Sequence, residues 1–446
     1  MAQPSSTPAT QPDPDLQTGL QYLRAGWFDR AEPLFRAALG RYGERPDILH
    51  YLAVCLSQRG ALADAEAMWR KALAKDPNEP MLSYNLGLVA RRQGRLDEAA
   101  RRFRDTIRRT PSHVEARLAL ASIYMDMGRF AAAERELVEF VTNVDTAIQQ
   151  PGGEGLKPLQ ARARNMLGHA LYRMGHYSPA IDILDLAMID AGEDNARRGQ
   201  ILGDRALALS GLGHFDEAIA EAGRAIEFAP DSASLNHVVG FVLYHAGRPS
   251  DAIAPIQRSL ELDPGFTAAL KTLALAHAAA GKGDEAIDLL HRALRANPRD
   301  RDAVLQLSNL HIEQQKFAEA LEALEAHLKT TDDDVQALNN QGLALRGLKR
   351  FEEARRSLKR ASRLASDDPM VLTNLGRVLV DLGRAAEART LHEHALRGLP
   401  GDPRLLTHYG ACLAALGEHD KARETLDAAL AADPNNAEAL AARTSL

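Results

Sequence analysis

The pattern of apolar and polar positions repeats every 34 residues along most of the chain. The segment GHFDEAIAEAGRAIEFAPDS at 213–232 has counterparts in GRLDEAARRFRDTIRRTPSH at 94–113 and GEHDKARETLDAALAADPNN at 417–436. No stretch shows the alternation of a half-buried strand, so the pattern predicts helices. Twelve copies can be placed, at 12–45, 46–79, 80–113, 114–147, 161–194 and then without a gap over 199–436.

Two positions of the repeat hold small side chains. The eighth is Gly, Ala or Ser in every copy, as at Gly168 and Gly240, and the twentieth is Ala in all twelve, as at Ala180 and Ala252. Small residues let two helices approach closely while Leu, Phe and Tyr fill the surrounding space. Each repeat is therefore predicted to be a pair of antiparallel helices.

The ends of the two helices are marked by turn residues. Position fifteen is Gly in ten copies, with Gln315 and Lys349 as the exceptions. Glycine suits the left-handed residue that ends a helix. Acidic pairs such as Asp97 and Glu98 follow it and suit the start of the second helix. Proline at position thirty-two, as at Pro230, ends that helix in seven copies.

These spacings resemble the tetratricopeptide repeat (TPR) family over all twelve copies. The resemblance implies an all-α fold, a right-handed superhelical solenoid of about twelve helix-turn-helix repeats. It further implies that the first helices line a concave groove in which partners bind.

The chain outside the repeats gives the predicted domain organisation. Residues 1–11 are rich in Pro, Ser and Thr and are expected to form a disordered tail. Repeats one to four occupy 12–147, an insertion loop occupies 148–160, repeats five to twelve occupy 161–436, and a short cap occupies 437–446. Repeat four departs from the family at Phe140 and Asp145, and we expect the insertion to separate a four-repeat block from an eight-repeat block.

Composition narrows the class of protein. The formal net charge of −6 is small for 446 residues, so no global attraction to nucleic acid is expected. Two cysteines cannot build a disulfide framework, which indicates a reducing compartment. The N-terminus lacks the pattern of a secretory signal, and no apolar run is long enough to span a bilayer. A cytoplasmic location without membrane insertion is expected.

The sequence gives no support for an enzyme, a cofactor or a metal site. It lacks the phosphate-binding, nucleophile-elbow and zinc-protease motifs. His392 and His394 lie two apart on a helix, where their side chains diverge. Cys55 and Cys412 share repeat position ten and are expected to be buried packing residues.

Groove-facing residues can be proposed from the family's geometry, which implies positions two, five, nine and twelve or thirteen. Position nine is mostly apolar, which suits a partner helix or an extended peptide. Aromatic anchors beside polar donors are typical of interaction hot spots. Phe241 has two open interpretations, groove or core, whereas Tyr244 is expected to be exposed. The predicted partner-binding residues are Asn165, His169, Tyr172, His237, Phe241, Tyr244, His245, Lys271, Leu275 and Asn309.

Repeat three carries an arginine-rich patch that could bind an anionic partner. The alternative is a solvated outer helix face. Aromatic residues are not interleaved with the arginines, which argues against nucleic acid as a partner. The patch comprises Arg91, Arg92, Arg95, Arg101, Arg102 and Arg108.

The predicted function is a non-enzymatic scaffold or adaptor that binds other proteins, as a peptide or a helix, in the TPR groove. The alternative is a regulatory or assembly subunit that self-associates into a homo-oligomer, for which the short cap at 437–446 leaves an incompletely covered end. A third hypothesis is an enzyme with its site in the groove. The fold alone does not identify the partner.

Overall fold

The computed structural model describes residues 14–150 and 153–446, and the predicted tail at 1–11 lies outside them. Within the described residues the regular structure is helical, with a 3-10 helix at Gly153–Leu156 and no strand. The chain divides into two compact units, Met1–Pro230 and Asp231–Leu446.

Described helices of the first unit are paired by short turns. They are α1 Pro14–Arg24, α2 Phe28–Tyr42, α3 Pro46–Gln58, α4 Leu62–Lys75, α5 Pro80–Arg92, α6 Leu96–Arg109, α7 Val114–Asp126, α8 Phe130–Ile148, α9 Lys157–Arg173, α10 Tyr177–Ala191, α11 Asn195–Gly211 and α12 Phe215–Phe228.

The helices of the second unit follow the same plan. They are α13 Ala233–His245, α14 Pro249–Leu262, α15 Thr267–Ala279, α16 Gly283–Ala296, α17 Arg301–Glu313, α18 Phe317–Leu328, α19 Val335–Gly347, α20 Phe351–Leu364, α21 Pro369–Asp381, α22 Ala385–Gly398, α23 Pro403–Ala415, α24 His419–Ala432 and α25 Ala437–Thr444.

Within each unit the helices pack in sequence order, and several odd-numbered helices also contact one another. In the first unit α9 contacts α11 as well as α10, and in the second α13 contacts α15 and α17 contacts α19. Apart from α25, which lies in the cap at 437–446, the odd-numbered helices are the first helices of the repeats. They therefore share one side of each unit, and the predicted groove positions belong to them.

The turn between paired helices keeps its left-handed residue even where glycine is missing. Gln315 and Lys349 both adopt φ of 59°, close to the values at the turn glycines of the other repeats. A left-handed conformation costs a residue with a Cβ roughly 1–2 kcal/mol. The packing of the flanking helices therefore imposes the turn in these two repeats against the preference of the local sequence.

Position eight is small because the second helix packs directly onto it. A Cβ atom on Gly240 would lie 2.2 Å from Cγ1 of Ile256, and one on Gly168 would lie 2.5 Å from Cγ of Leu184. Ile256 and Leu184 both occupy position twenty-four and are fully buried. This contact sets the separation of the two helices in each of these repeats.

His392 is a polar residue at the same core position in repeat eleven. A Cβ on Gly376 would lie 2.6 Å from its Nε2 atom, and the side chain is 1% exposed. Neither ring nitrogen has a hydrogen-bond partner among the described residues. Burial, with the nearby charge of Arg377, lowers the pKa of His392 to about 4, so the ring is neutral in the core.

The structure corrects the predicted boundary at the insertion. Lacking a proline at its end, α8 continues to Ile148, and α9 already begins at Lys157 inside the predicted loop. Phe140 and Val144 of α8 share one core cluster with Leu167 of α9, so the core continues across the insertion. The separation into a four-repeat block and an eight-repeat block stays a prediction.

The position-eight contact predicts opposite effects for two Gly→Ala substitutions. Gly240→Ala should destabilise the second unit by about 1–3 kcal/mol, since the added methyl overlaps Ile256. Gly223 is exposed on α12, and a Cβ added there would have no neighbour within 4 Å. Gly223→Ala should therefore stabilise the first unit by about 1 kcal/mol. Urea unfolding followed by circular dichroism measures both, and equal effects of the two substitutions would refute this role of position eight.

Candidate functional site

The predicted groove residues all lie on first helices, in two sets. Asn165, His169 and Tyr172 lie on α9 in the first unit. The second unit carries the others on three helices: His237, Phe241, Tyr244 and His245 on α13, Lys271 and Leu275 on α15, and Asn309 on α17.

Two residues of the α9 set, Asn165 and His169, line a polar concavity of about 500 Å³ in the first unit. Asn165 Nδ2 donates a hydrogen bond to Asp204 Oδ2 at 2.6 Å, and His169 Nδ1 lies 2.7 Å from Asp204 Oδ1. Asp204 lies on α11, so one carboxylate joins two turns of α9 to the next repeat. The complete lining is Ser122, Met125, Arg162, Asn165, Met166, His169, Arg197, Gln200 and Asp204.

The His169–Asp204 pair has a defined electrostatic character. Burial disfavours the charged imidazolium, but the charge and hydrogen bond of Asp204 outweigh it and raise the pKa of His169. Ser122 lines the same concavity, yet its hydroxyl accepts a hydrogen bond from Arg91 Nη2 at 2.8 Å. No hydrogen bond joins Ser122 to His169 among the described residues, so no Ser–His–Asp relay is formed there.

Tyr172 packs away from this concavity. Its ring centroid lies 6.1 Å from that of His169 and 6.0 Å from that of Tyr177, and the side chain is half-buried. Burial raises the pKa of its phenol. The structure therefore places Tyr172 as a support for His169.

The aromatic residues of α13 form a connected cluster in the second unit. The ring centroids of Phe241 and His245 lie 4.3 Å apart, and Tyr244 meets His245 edge-on at 5.3 Å. His237 Nε2 lies 2.9 Å from the Thr272 hydroxyl. Burial and the charge of Lys271 lower the pKa of His237 to about 4, and burial also lowers the pKa of His245.

Phe241 is half-buried, which lies between its two predicted interpretations. One part of its ring packs against His237 and His245, and the remainder stays accessible. Tyr244 is also half-buried, although we predicted it to be exposed. Neighbouring rings on α13 account for the coverage of both.

Three predicted residues from three helices line one concavity of the second unit. Tyr244, Leu275 and Asn309 border a space of about 330 Å³ whose remaining walls are largely apolar. The other lining residues are Ala274, Ala278, Ala279, Leu290, Gln306, Leu310 and Glu313. Apolar walls with a few polar groups are typical of a binding pocket.

Lys271 is not a free cation. Its Nζ atom lies 3.0 Å from Asp300 and 3.6 Å from Asp302. Asp300 also caps α17 by accepting a hydrogen bond from the Ala303 amide. Lys271 therefore fastens two repeats together and is absent from the lining of the concavity.

Most of the predicted arginine patch is already engaged within the chain. Arg91 pairs with Asp126 at 3.2 Å, and Arg92 donates to the Ser57 hydroxyl at 3.4 Å. Arg95 pairs with Glu66 and Glu98, Arg102 lies 3.9 Å from Glu98, and Arg108 pairs with Asp105. Arg101 is exposed and has no ion pair among the described residues. Binding of an anion here stays a prediction.

Asp204 and Gln306 were not among the predicted residues. Both occupy position six, which the groove positions implied by the family resemblance leave out. At other repeats this position bonds to the preceding repeat, as Asn340 Nδ2 does to Asn309 Oδ1 at 2.7 Å. A polar residue at position six, read against positions five and nine of the repeat before it, is the sequence signal for this contact.

Other candidate chemistry has a structural explanation. Cys55 and Cys412 are free and buried, and burial raises the pKa of each thiol to about 11. Residues 14–150 and 153–446 contain no group of three metal-ligating side chains placed to share an ion. None of the helices in these ranges has the length and apolar content to cross a bilayer.

Family models described as tetratricopeptide repeats match most of the chain. One matches residues 22–84, 277–341 and 379–446, a second matches 84–143 and 204–265, and a third matches 333–401. Comparison with curated protein sequences finds no match.

Solved structures with the same repeat architecture were also found. A chain of the APC/C hetero-tetramer Cut9–Hcn1 matches with a TM-score of 0.50 and 15% identity, over 96% of this chain and 94% of that one. At this identity the likeness shows a shared fold. A tetratricopeptide repeat protein from Parabacteroides merdae matches with a TM-score of 0.48 and 16% identity, over 56% of this chain and 98% of that one.

The His169–Asp204 pair predicts a change in titration. Asp204→Asn should bring the pKa of His169 below its ordinary value, because burial then acts without the carboxylate. The raised pKa stabilises the fold at low pH, and this contribution is lost as pH rises through it. The variant's loss of stability should therefore be larger below about pH 6.5 than above it.

Histidine NMR titration measures this pKa, and urea unfolding at both ends of the pH range measures the stability. Asp182→Asn, at an exposed position on α10, is the matched control. An unchanged His169 pKa in Asp204→Asn would contradict the assignment.

Proposed function

Since the chain belongs to the tetratricopeptide repeat family, we propose that it is a non-enzymatic protein-interaction scaffold that binds a partner peptide or helix along its first helices. The family models and the shared fold support an interaction scaffold in general. That the partner binds on the first helices is our proposal.

One observation carries this proposal. Tyr244, Leu275 and Asn309 come from three successive first helices and border one concavity with largely apolar walls. A partner segment lying across the helices would bury Leu275 and the accessible part of Tyr244 together. Such burial contributes roughly 25 cal/mol of binding free energy per Å² of apolar surface. A central aromatic residue commonly contributes a large part of that free energy.

Binding is favoured over catalysis by the state of the reactive groups. Both cysteines are buried, and the ring of His237 is held neutral and bonded to Thr272. The His169–Asp204 pair serves as a link between repeats, with the Ser122 hydroxyl engaged by Arg91. The proposed cytoplasmic location is supported by the two free cysteines.

Self-association is the second candidate function. It is supported by Leu440 on α25, which is 45% exposed while Ala439 beside it is buried. Cut9–Hcn1, with which this chain shares its fold, is named as a hetero-tetramer, which is compatible with a scaffold that assembles with a different protein. We favour binding to a different protein because the concavity bordered by Tyr244, Leu275 and Asn309 lies on the first helices.

Substitution on the first helices tests the proposal. Tyr244→Ala should strongly reduce capture of a partner from the source lysate by the tagged full chain, because it removes the aromatic surface beside Leu275. Leu364→Ala should leave capture unchanged, since Leu364 is 49% exposed on the second helix α20. Quantitative mass spectrometry of the captured proteins gives the measurement.

Circular dichroism must show the same helix content in all three proteins. A partner lost by Tyr244→Ala and kept by Leu364→Ala supports the proposed surface. Equal capture by both variants, or loss only in Leu364→Ala, would refute it.

A further inference from the structure

The chain twice places its own arginine across neighbouring repeats in the same register. Arg91, at position twelve of repeat three, meets Asp126, at position thirteen of repeat four, at 3.2 Å. Arg346, at position twelve of repeat ten, forms a two-pronged contact with Asp381, at position thirteen of repeat eleven. Position thirteen thus supplies the carboxylate and position twelve of the repeat before it supplies the guanidinium.

Repeats eight and nine keep the carboxylate but lack the arginine. Glu313 occupies position thirteen of repeat nine, while position twelve of repeat eight is Ala278. Both residues line the concavity that contains Tyr244 and Leu275. Glu313 is exposed and makes no ion pair with any described residue, and Ala278 borders the same concavity.

A second unpaired group lies in the same wall. Gln306 is at position six, where other repeats bond to the repeat before them, as Asn340 bonds to Asn309. The residue available to Gln306 at position nine of repeat eight is Leu275, which offers no polar atom. Gln306 Oε1 is buried and has no hydrogen-bond partner among the described residues.

We propose that this concavity binds an arginine side chain of the partner protein, in the place that Arg91 and Arg346 fill in their own repeats. The inference rests on the proposed function and names the chemistry of the partner at that surface. Glu313 and Gln306 Oε1 accept from the guanidinium, which has five N–H donors and no acceptor.

The rest of the lining suits the same side chain. Leu275 and Leu310 provide apolar surface for the three-carbon stem, and arginine stems commonly bury along such surface. The Tyr244 ring offers a face on which a guanidinium can stack. The aromatic cluster behind Tyr244 is uncharged near neutral pH, because burial holds the pKa of His245 below its ordinary value.

Other side chains fit less well. A leucine would cover Glu313 and leave the buried Gln306 Oε1 without a hydrogen-bond partner. A glutamate would be repelled by Glu313. Lys271 and Lys316 do not cancel that charge, because they pair with Asp300 and Asp284.

The test uses the full chain with labelled leucine methyl groups and follows the NMR signal of Leu275. Four capped alanine pentapeptides serve as probes, with arginine, citrulline, leucine or glutamate at the centre. We expect the arginine peptide to shift this signal and to bind about two- to fivefold more tightly than the citrulline peptide, which has the same shape without the charge.

Two variants and a control locate the contact. Glu313→Gln should weaken binding of the arginine peptide about two- to fivefold, because Glu313 is exposed. Glu322→Gln, exposed on the second helix α18, should leave it unchanged. Ala278→Arg should abolish binding while circular dichroism stays the same, because the chain then supplies its own arginine to Glu313.

Each outcome decides the inference. A stronger shift with the leucine or glutamate peptide overturns the arginine assignment but leaves the concavity as a binding surface. No shift with any peptide, or full binding by Ala278→Arg, also overturns it. The capture experiment with Tyr244→Ala tests the proposed function separately, so failure of one is distinguishable from failure of the other.

Discussion

The contact between position eight of the first helix and position twenty-four of the second is the constraint on which the repeats depend. Gly240 has no room for a Cβ against Ile256, and Gly168 has none against Leu184. This contact uses one face of the first helix. Positions nine and thirteen lie on a different face, which is left to meet the neighbouring repeat or a partner. Packing inside a repeat therefore determines which residues are available for binding.

Polar contacts between repeats decide which of those available residues are free. Asp204 at position six engages His169 of the preceding repeat, and Asn340 engages Asn309 in the same way. Gln306 has no such partner because Leu275 stands opposite it. A surface that can bind another protein thus arises where a polar group of one repeat finds no hydrogen-bond partner in the preceding repeat and lies beside apolar walls.

The sequence predicts most of the fold because the helix-pair geometry is kept even in repeats that lack some of the typical residues. Gln315 takes the left-handed turn without glycine, and α9 packs onto α8 despite the inserted loop. Much of the site could not be predicted, because side-chain pairing depends on the following repeat. Lys271 resembles a free donor on its own helix, yet it pairs with Asp300, the N-cap residue of the next first helix, α17. Repeat positions are enough to group Tyr244 with Leu275. They do not show that neighbouring side chains cover part of Phe241.

Photo-crosslinking in the source lysate tests most directly whether the partner lies on the first helices. A photoreactive amino acid at position 275 on α15 should form a covalent adduct with a discrete protein, and the same group at position 364 on α20 should not. Mass spectrometry of the adduct identifies both the protein and the attached segment. Adducts from position 364 with none from position 275 would contradict the account, because they would place the partner on the second helices.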